Sequence, residues 1–139
     1  MLEIIQTEEI TVPVGQSVTF DETAVKSGCA EYFRTGSSTV RLLKPGRYLV
    51  TFAGNIAVPT GETVGEISLG LAVDGGTLSG SVMRATPAAA EEFFNVSTQH
   101  YVDVPMCCGS VGVASVSVLN TADIPVLVDN ANMTIVRVC

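Results

Sequence analysis

Few side chains in this sequence have the type and spacing that catalysis requires. His100 is the only histidine, and the acid nearest to it, Asp103, follows three positions later. Side chains three positions apart on a strand point to opposite faces, which excludes a local dyad and leaves only a partner from elsewhere in the fold. We interpret His100 as a packed or interface residue. The alternative is a threefold ring of His100 side chains that binds a metal or an anion.

Two pairs of adjacent acids, Glu8-Glu9 and Glu91-Glu92, could suggest acid–base chemistry. Neighbours in a loop rarely converge on one substrate atom, so we interpret both pairs as solvated charge. Asp74-Gly75-Gly76 offers too few ligands for calcium and is typical of a tight hairpin turn. The sequence also lacks the G-x-S-x-G, P-loop and H-E-x-x-H motifs. We therefore predict that the protein is not an enzyme and has no catalytic residue, no metal and no cofactor.

The four cysteines are Cys29, Cys107, Cys108 and Cys139, and no two of them have the C-x-x-C spacing of a zinc ribbon. A bridge between the adjacent Cys107 and Cys108 would be strained, and on a strand the two side chains point to opposite faces. We interpret the cysteines as small buried residues plus a loose C-terminal thiol. Disulfides within or between chains, or a metal site, are the alternatives.

The charge of the chain limits its partners. The formal net charge is -7, and charged residues make up 15% of the sequence, against roughly 25% in an average soluble domain. After Arg47 the only basic residues are Arg84 and Arg137. Because nucleic-acid binding needs clustered lysine and arginine, we expect no nucleic-acid partner.

No segment has the properties of a membrane helix or an export signal. Residues 104–122 are uncharged, but their cysteines, glycines, serines and Asn120 make them too polar and too β-like to span a bilayer. Residues 1–10 have three glutamates and no basic n-region, so they do not resemble a signal peptide. We expect no membrane partner, and a protein that stays in the cytoplasm or leaves inside a larger particle.

Alternating apolar and polar residues, separated by glycine, proline, asparagine and aspartate turns, predict strands along the whole chain. The longest predicted strands are residues 47–58, 93–104 and 126–138. In the first, Tyr48, Val50 and Phe52 lie on an apolar face, and the odd positions form a second face of small residues. The pattern predicts an all-β fold, an antiparallel two-sheet jelly-roll sandwich of about 8–10 strands. Residues 13–139 form its single domain, and residues 1–12 form an N-terminal arm or a first strand.

The run Gly46-Arg47-Tyr48-Leu49-Val50-Thr51-Phe52-Ala53 resembles the G-x-Y-x-V/F-x-F/Y strand of tumour necrosis factor-like and complement-head-like jelly rolls. Lys44-Pro45-Gly46 is similar to the turn before that strand, and residues 67–76 look like the family's hairpin with its L-x-V-x-G end. Residues 128–135 are similar to the closing strand of small prophage-encoded proteins of this type. The resemblance spans roughly residues 10–138. Two departures are the lack of aromatic residues in the closing strand and the lack of a collagen-like Gly-X-Y stalk, so we expect the protein to be the head alone.

The resemblance implies a compact homotrimer in which one sheet, with residues 47–58, 93–104 and 126–138, faces the threefold axis. The composition of these strands is consistent with such a trimer, because they carry apolar or small uncharged side chains on both faces, as strands buried on both sides do. The predicted trimer interface consists of Leu49, Thr51, Ala53, Asn55, Tyr101, Val126, Val128, Asn130 and Asn132.

The first functional hypothesis is a non-enzymatic structural protein of a virus particle, a trimeric phage capsid decoration or head-fibre protein. Its partners are further copies of itself and the major capsid protein or another virion component, and its location is the virion, assembled in the bacterial host cytoplasm. In this hypothesis the N-terminal arm docks on the capsid through Leu2, Ile4, Ile5 and Ile10.

The alternative is a trimeric head that recognises a carbohydrate or a protein on a cell or spore surface. Its ligand would bind at a tip formed by Tyr32, Phe33, Phe93 and Phe94. An enzyme on a double-stranded β fold such as a cupin would need several histidine ligands, and this chain has one.

Overall fold

The structure is a computed structural model that describes residues 1–107, 110–111 and 114–139. Within these ranges the backbone forms fourteen strands and no helix. The strands are β1 (Leu2–Gln6), β2 (Ile10–Val12), β3 (Glu22–Lys26), β4 (Glu31–Phe33), β5 (Val40–Leu42), β6 (Gly46–Ala57), β7 (Ile67–Val73), β8 (Gly76–Thr77), β9 (Met83–Ala85), β10 (Phe94–Val104), β11 (Met106–Cys107), β12 (Ser110–Val111), β13 (Ala114–Asn120) and β14 (Val126–Arg137).

Twelve of these strands form two antiparallel sheets that pack face to face. Sheet A has the order β10-β6-β14-β1-β3, with β2 also paired to β14, and sheet B has the order β4-β5-β13-β7-β8, with β9 also paired to β7. The predicted all-β jelly-roll sandwich is confirmed. The number of strands exceeds the predicted 8–10. The return strand after the hairpin at Asp74 is split into β8 and β9, and β3 and β4 are additional short edge strands.

The hydrophobic core lies between the sheets and is built on the alternation of β6. Tyr48, Val50 and Phe52 are fully buried, whereas Leu49 and Thr51 between them are only half-buried. Phe52 also meets Phe20 edge to face, with ring centroids 6.5 Å apart, a geometry that adds roughly 0.5–1.5 kcal/mol beyond burial alone. The two faces predicted for this strand are therefore confirmed.

The first strand, β1, is an internal strand of sheet A. It pairs with β14 on one side and with β3 on the other. Leu2 and Ile4 are 1% and 0% exposed and belong to the core, while Ile5 and Ile10 are half-buried at the surface. This placement corrects the docking-arm hypothesis for Leu2 and Ile4, because side chains that fill the core cannot contact a capsid.

A β-bulge interrupts β14. Its pairing with β6 shifts register between Asp129 and Asn132, and Asn130 has a positive φ of 47°. The extra residue reverses the alternation, so that Val126 and Val128 point into the core and are fully buried. The prediction that these two valines belong to a trimer interface is thus wrong, because it assumed an uninterrupted period of two along the strand.

Candidate interaction surface

The face of sheet A that points away from sheet B has an unusual composition. Across β10, β6 and β14, the rows from Tyr101–Leu49–Val136 to Ser97–Ala53–Asn132 contain no charged side chain. Asp129 lies in the next row, half-buried beside Asn55. Glu3 flanks these rows on β1, where its Oε2 accepts a 3.3 Å hydrogen bond from the Thr134 hydroxyl. We call this surface the sheet A outer face, and it consists of Leu49, Thr51, Ala53, Asn55, Asn95, Ser97, Gln99, Tyr101, Asn132, Thr134, Val136 and, on β1, Ile5.

One end of the sheet A outer face is apolar. Tyr101 pairs with Leu49 across β10 and β6, and Leu49 pairs with Val136 across β6 and β14. Tyr101 is 57% exposed, and the other two side chains are half-buried. An exposed aromatic ring beside two aliphatic side chains is the type of group that dominates the energy of protein interfaces.

The other end of the sheet A outer face is rich in amides. The Asn95 Nδ2 donates a 3.2 Å hydrogen bond to the Asn55 Oδ1 across the strand pair. Asn130 and Asn132 are exposed beside the bulge, and with Ile5 they line a small depression of about 160 Å³. Carboxamides both donate and accept hydrogen bonds, so copies of this surface can satisfy one another.

Seven of the nine residues predicted for a trimer interface therefore lie together on one side of the molecule. Sequence reasoning did not include the half-buried Ile5, Thr134 and Val136 in the interface. The β14–β6 pairing places Thr134 and Val136 beside β6, and the β1–β14 pairing places Ile5 opposite Asn132. A signal for them was present, since each alternates with a buried residue of its own strand.

An ion pair between Arg47 and Asp103 bounds the apolar end of this face. The Arg47 Nε lies 2.7 Å from the Asp103 Oδ1, and its Nη2 lies 3.1 Å from Oδ2. The hydrogen bond from Arg47 lowers the pKa of Asp103, and the same contact raises the pKa of Arg47. Both side chains are solvent-exposed, so this pair is a weak contribution to stability and a marker of where the uncharged surface ends.

His100 lies on the opposite side of β10 from Asp103. Its Nδ1 is 2.8 Å from the carbonyl oxygen of Tyr101, and its Nε2 is 3.1 Å from the carbonyl oxygen of Ser79, in the segment between β8 and β9. The ring thus links the edge of sheet A to sheet B. This position agrees with a packed histidine and places the ring on the side of β10 opposite the sheet A outer face.

The aromatic residues predicted for a ligand tip are separated. Phe93 and Phe94 are exposed where Phe94 pairs with Ile56, near the end of β6. Tyr32 is also exposed but pairs with Arg41, a few residues before β6 begins. Phe33, beside it, is partly buried against the core. Because β6 runs the length of the sandwich, the two pairs lie towards opposite ends, and the expectation of one tip formed by all four is wrong.

Within the described ranges, no group of three or more histidine, cysteine, aspartate or glutamate side chains could hold a metal ion. The same part of the chain contains no helix long and apolar enough to cross a membrane.

Cys29 and Cys139 carry free, exposed thiols, so Cys29 is not the buried residue that was expected. Cys108 and the side chain of Cys107 lie outside the described residues.

No family model matches the sequence, and a search of curated proteins finds no match. Solved structures share the fold. The globular domain of zebrafish complement 1qA protein has a TM-score of 0.69 and 13% identity over 99% of this chain and 96% of that one. Murine APRIL at pH 8.5 has a TM-score of 0.66 and 9% identity over 99% and 97%. The PRD1 vertex protein P5 has a TM-score of 0.51 and 16% identity over 99% and 96%. At these identities the likeness shows the fold: the chain has a jelly-roll fold like that of complement 1q and tumour necrosis factor-like proteins.

Proposed function

We propose that this protein is a non-enzymatic structural protein of a virus particle, a trimeric phage capsid decoration or head-fibre protein. The observation that carries the proposal is the sheet A outer face, whose rows from Tyr101 to Ser97 are uncharged across β10, β6 and β14. A sheet face that stays in water normally carries charged and polar residues in alternation with the core. Here a monomer would leave Tyr101, Leu49 and Val136 in contact with solvent.

Self-association through this face accounts for its composition from end to end. The apolar row would lose its contact with water, and the amides would hydrogen-bond to amides of neighbouring copies. A closed ring of three copies buries the same strip of every chain, which a protein with only 15% charged residues needs. Leu49, Thr51, Ala53, Asn55, Tyr101, Asn130 and Asn132 are the interface residues that we propose.

The proposed place in a virus particle is supported by the fold shared with the PRD1 vertex protein P5. We therefore propose the major capsid protein or another virion component as the second partner. Of the four isoleucine and leucine residues of the segment 1–12, Ile10 is the proposed contact, because it lines an open groove with Val12 and Pro13.

Two measurements test this function. Size-exclusion chromatography with light scattering at micromolar concentration is expected to give the mass of a trimer, and a stable monomer would remove the observation on which the proposal rests. Mass spectrometry of phage particles purified from the producing bacterium is expected to detect this chain in the particle fraction. Its presence in the cell and absence from purified particles would contradict the structural role.

The second candidate is a trimeric head that recognises a carbohydrate or a protein on a cell or spore surface. Its predicted aromatic tip is not assembled in this fold. A different feature, a polar groove on sheet B, favours this candidate.

A further inference from the structure

A groove of about 530 Å³ lies on the side of sheet B that faces away from the core. Its walls come from residues 63–66 before β7, residues 121–124 after β13, Thr77 on β8, and Val82 and Arg84 just before and on β9. The volume is within the range of about 300–1,000 Å³ that is typical of ligand sites. None of these residues was identified from the sequence, because they meet only when β7, β9 and β13 pair.

The floor of the groove is a pair of hydroxyl groups. The Ser68 Oγ and the Thr121 Oγ1 lie 2.6 Å apart, and Ser68 is buried. Two hydroxyls share one hydrogen bond between them, which leaves the second hydroxyl hydrogen and several lone pairs for a bound molecule. Thr63 and Thr77 add two further hydroxyls to the lining.

Gly70 shapes the groove beside this floor. A Cβ atom at Gly70 would lie 3.1 Å from the Thr77 Cγ2 and 3.3 Å from the Val82 Cγ2. A side chain at Gly70 would push these two methyl groups away from β7 by a few tenths of an ångström, so glycine lets them pack closely over the strand.

Charged groups stand around the rim. The Arg84 Nε lies 3.6 Å from the Glu66 Oε1, and both side chains are more than half exposed. A contact through Nε leaves the terminal guanidinium nitrogens available as donors. Asp123 adds a second carboxylate to the lining. Planar guanidinium and carboxylate groups present paired donors and paired acceptors, which match two adjacent hydroxyls of one ligand.

The geometry points to a binding site for a neutral saccharide of a few sugar units in this groove. Adjacent hydroxyl groups on a sugar ring would pair with Arg84, Asp123 and the Ser68–Thr121 floor, and the apolar ring face would contact Val64 or Ile124. An anionic sugar is disfavoured, because the groove has two carboxylates and one guanidinium in a chain of net charge -7.

The groove and the proposed trimer interface are on opposite sheets, so each trimer would have three grooves open on its outer surface. The lining has no aromatic ring for a sugar to stack on, and a single site is therefore expected to bind weakly. Three linked sites can raise the overall affinity by roughly 10²-fold or more on a surface with many copies of the sugar. This gain in affinity rests on the proposed trimer, whereas the site itself does not.

The probe is an array of neutral di- and trisaccharides built from hexose and N-acetylhexosamine units, with acidic counterparts that contain a hexuronic acid, followed by saturation-transfer NMR with the best ligand. Arg84→Ala and Asp123→Ala are expected to weaken binding about tenfold or more each. Arg41→Ala and Glu9→Ala remove the same charges from exposed positions outside the groove and are expected to change nothing.

Three results would overturn the inference: no neutral saccharide binds, only acidic saccharides bind, or the two groove variants bind as well as the wild type. Light scattering on the same samples keeps this test separate from that of the proposed function. A monomeric protein that still gives the NMR signal would retain the site and lose the trimer, and a trimer without the signal would do the reverse.

Discussion

Arg47 donates two hydrogen bonds to Asp103, from Nε to Oδ1 at 2.7 Å and from Nη2 to Oδ2 at 3.1 Å. Their residues are paired in the β6–β10 register. Beyond this ion pair the next row of the sheet is Tyr101, Leu49 and Val136, where charge ends and apolar contact begins. The two residues thus mark the boundary between the solvent-exposed end of the sandwich and the surface that we propose to be buried.

The ion pair makes stability depend on pH in a defined direction. The hydrogen bond from Arg47 holds the pKa of Asp103 below its ordinary value of 3.8, so the pair contributes above that value and its contribution is lost as the pH falls through the lowered pKa. The melting temperature of Asp103→Asn is expected to lie slightly below that of the wild type at about pH 7 and to approach it at about pH 3. A difference that grows on acidification would contradict this assignment.

A charge placed in the middle of the sheet A outer face should prevent assembly without unfolding the chain. Ala53→Asp puts a carboxylate between Ser97 and Asn132, and a trimer would bring three such groups together without a base beside them. Light scattering is expected to show monomers with an unchanged circular dichroism spectrum. Ser117→Asp, on the outward side of β13 in sheet B, is the matched control and should remain trimeric.

Tyr101 is expected to be a main source of binding energy in the trimer. Truncation of an aromatic hot-spot residue in an interface commonly costs about 2 kcal/mol or more, or about 30-fold in the dissociation constant. Sedimentation equilibrium of Tyr101→Ala should show this weakening. Tyr32 is similarly exposed but lies on edge strand β4 of sheet B. Equal effects of Tyr101→Ala and Tyr32→Ala would argue against the sheet A outer face as the interface.

The internal position of β1 predicts opposite effects at two neighbouring residues. Ile4 is fully buried, and Ile4→Ala is expected to lower the free energy of unfolding by about 2–5 kcal/mol in urea denaturation. Ile5 faces outward on the same strand, so Ile5→Ala should affect assembly more than folding. If Ile4→Ala left stability unchanged and weakened only particle binding, the segment would be an arm after all.

Asn120 connects three segments at the end of the sandwich near the groove. Its Nδ2 lies 3.0 Å from the carbonyl oxygen of Val12 and 3.1 Å from that of Ile124, and its Oδ1 accepts a 2.8 Å hydrogen bond from the Ala122 amide. Asn120→Asp keeps the shape but turns a donor into an acceptor that faces carbonyl oxygens. The expected loss is about 1–3 kcal/mol for each bond broken, measured by urea denaturation. A stability equal to that of the wild type would show that these contacts do not hold the loop.

Several features followed from the sequence alone because they depend on residues close together in the chain. The alternation of β6 needs only the two-residue period of a strand, so Phe52 and Thr51 were assigned to the correct faces. The hairpin after β7 needs only Asp74 and Gly75, whose φ angles of 53° and 86° are those of a type I′ turn. The low charge of the chain also predicts self-association, which the light-scattering measurement tests.

Other features were decided by contacts between residues far apart in the chain. Val128 became a core residue because β14 bulges opposite β6, and Leu2 became one because β14 and β3 enclose β1. The groove exists because Thr121 reaches Ser68 from 53 positions away. The two-residue alternation along a strand determines which of its side chains share a face. Register and strand order decide where that face lies, and both are set by the free energy of the assembled sandwich.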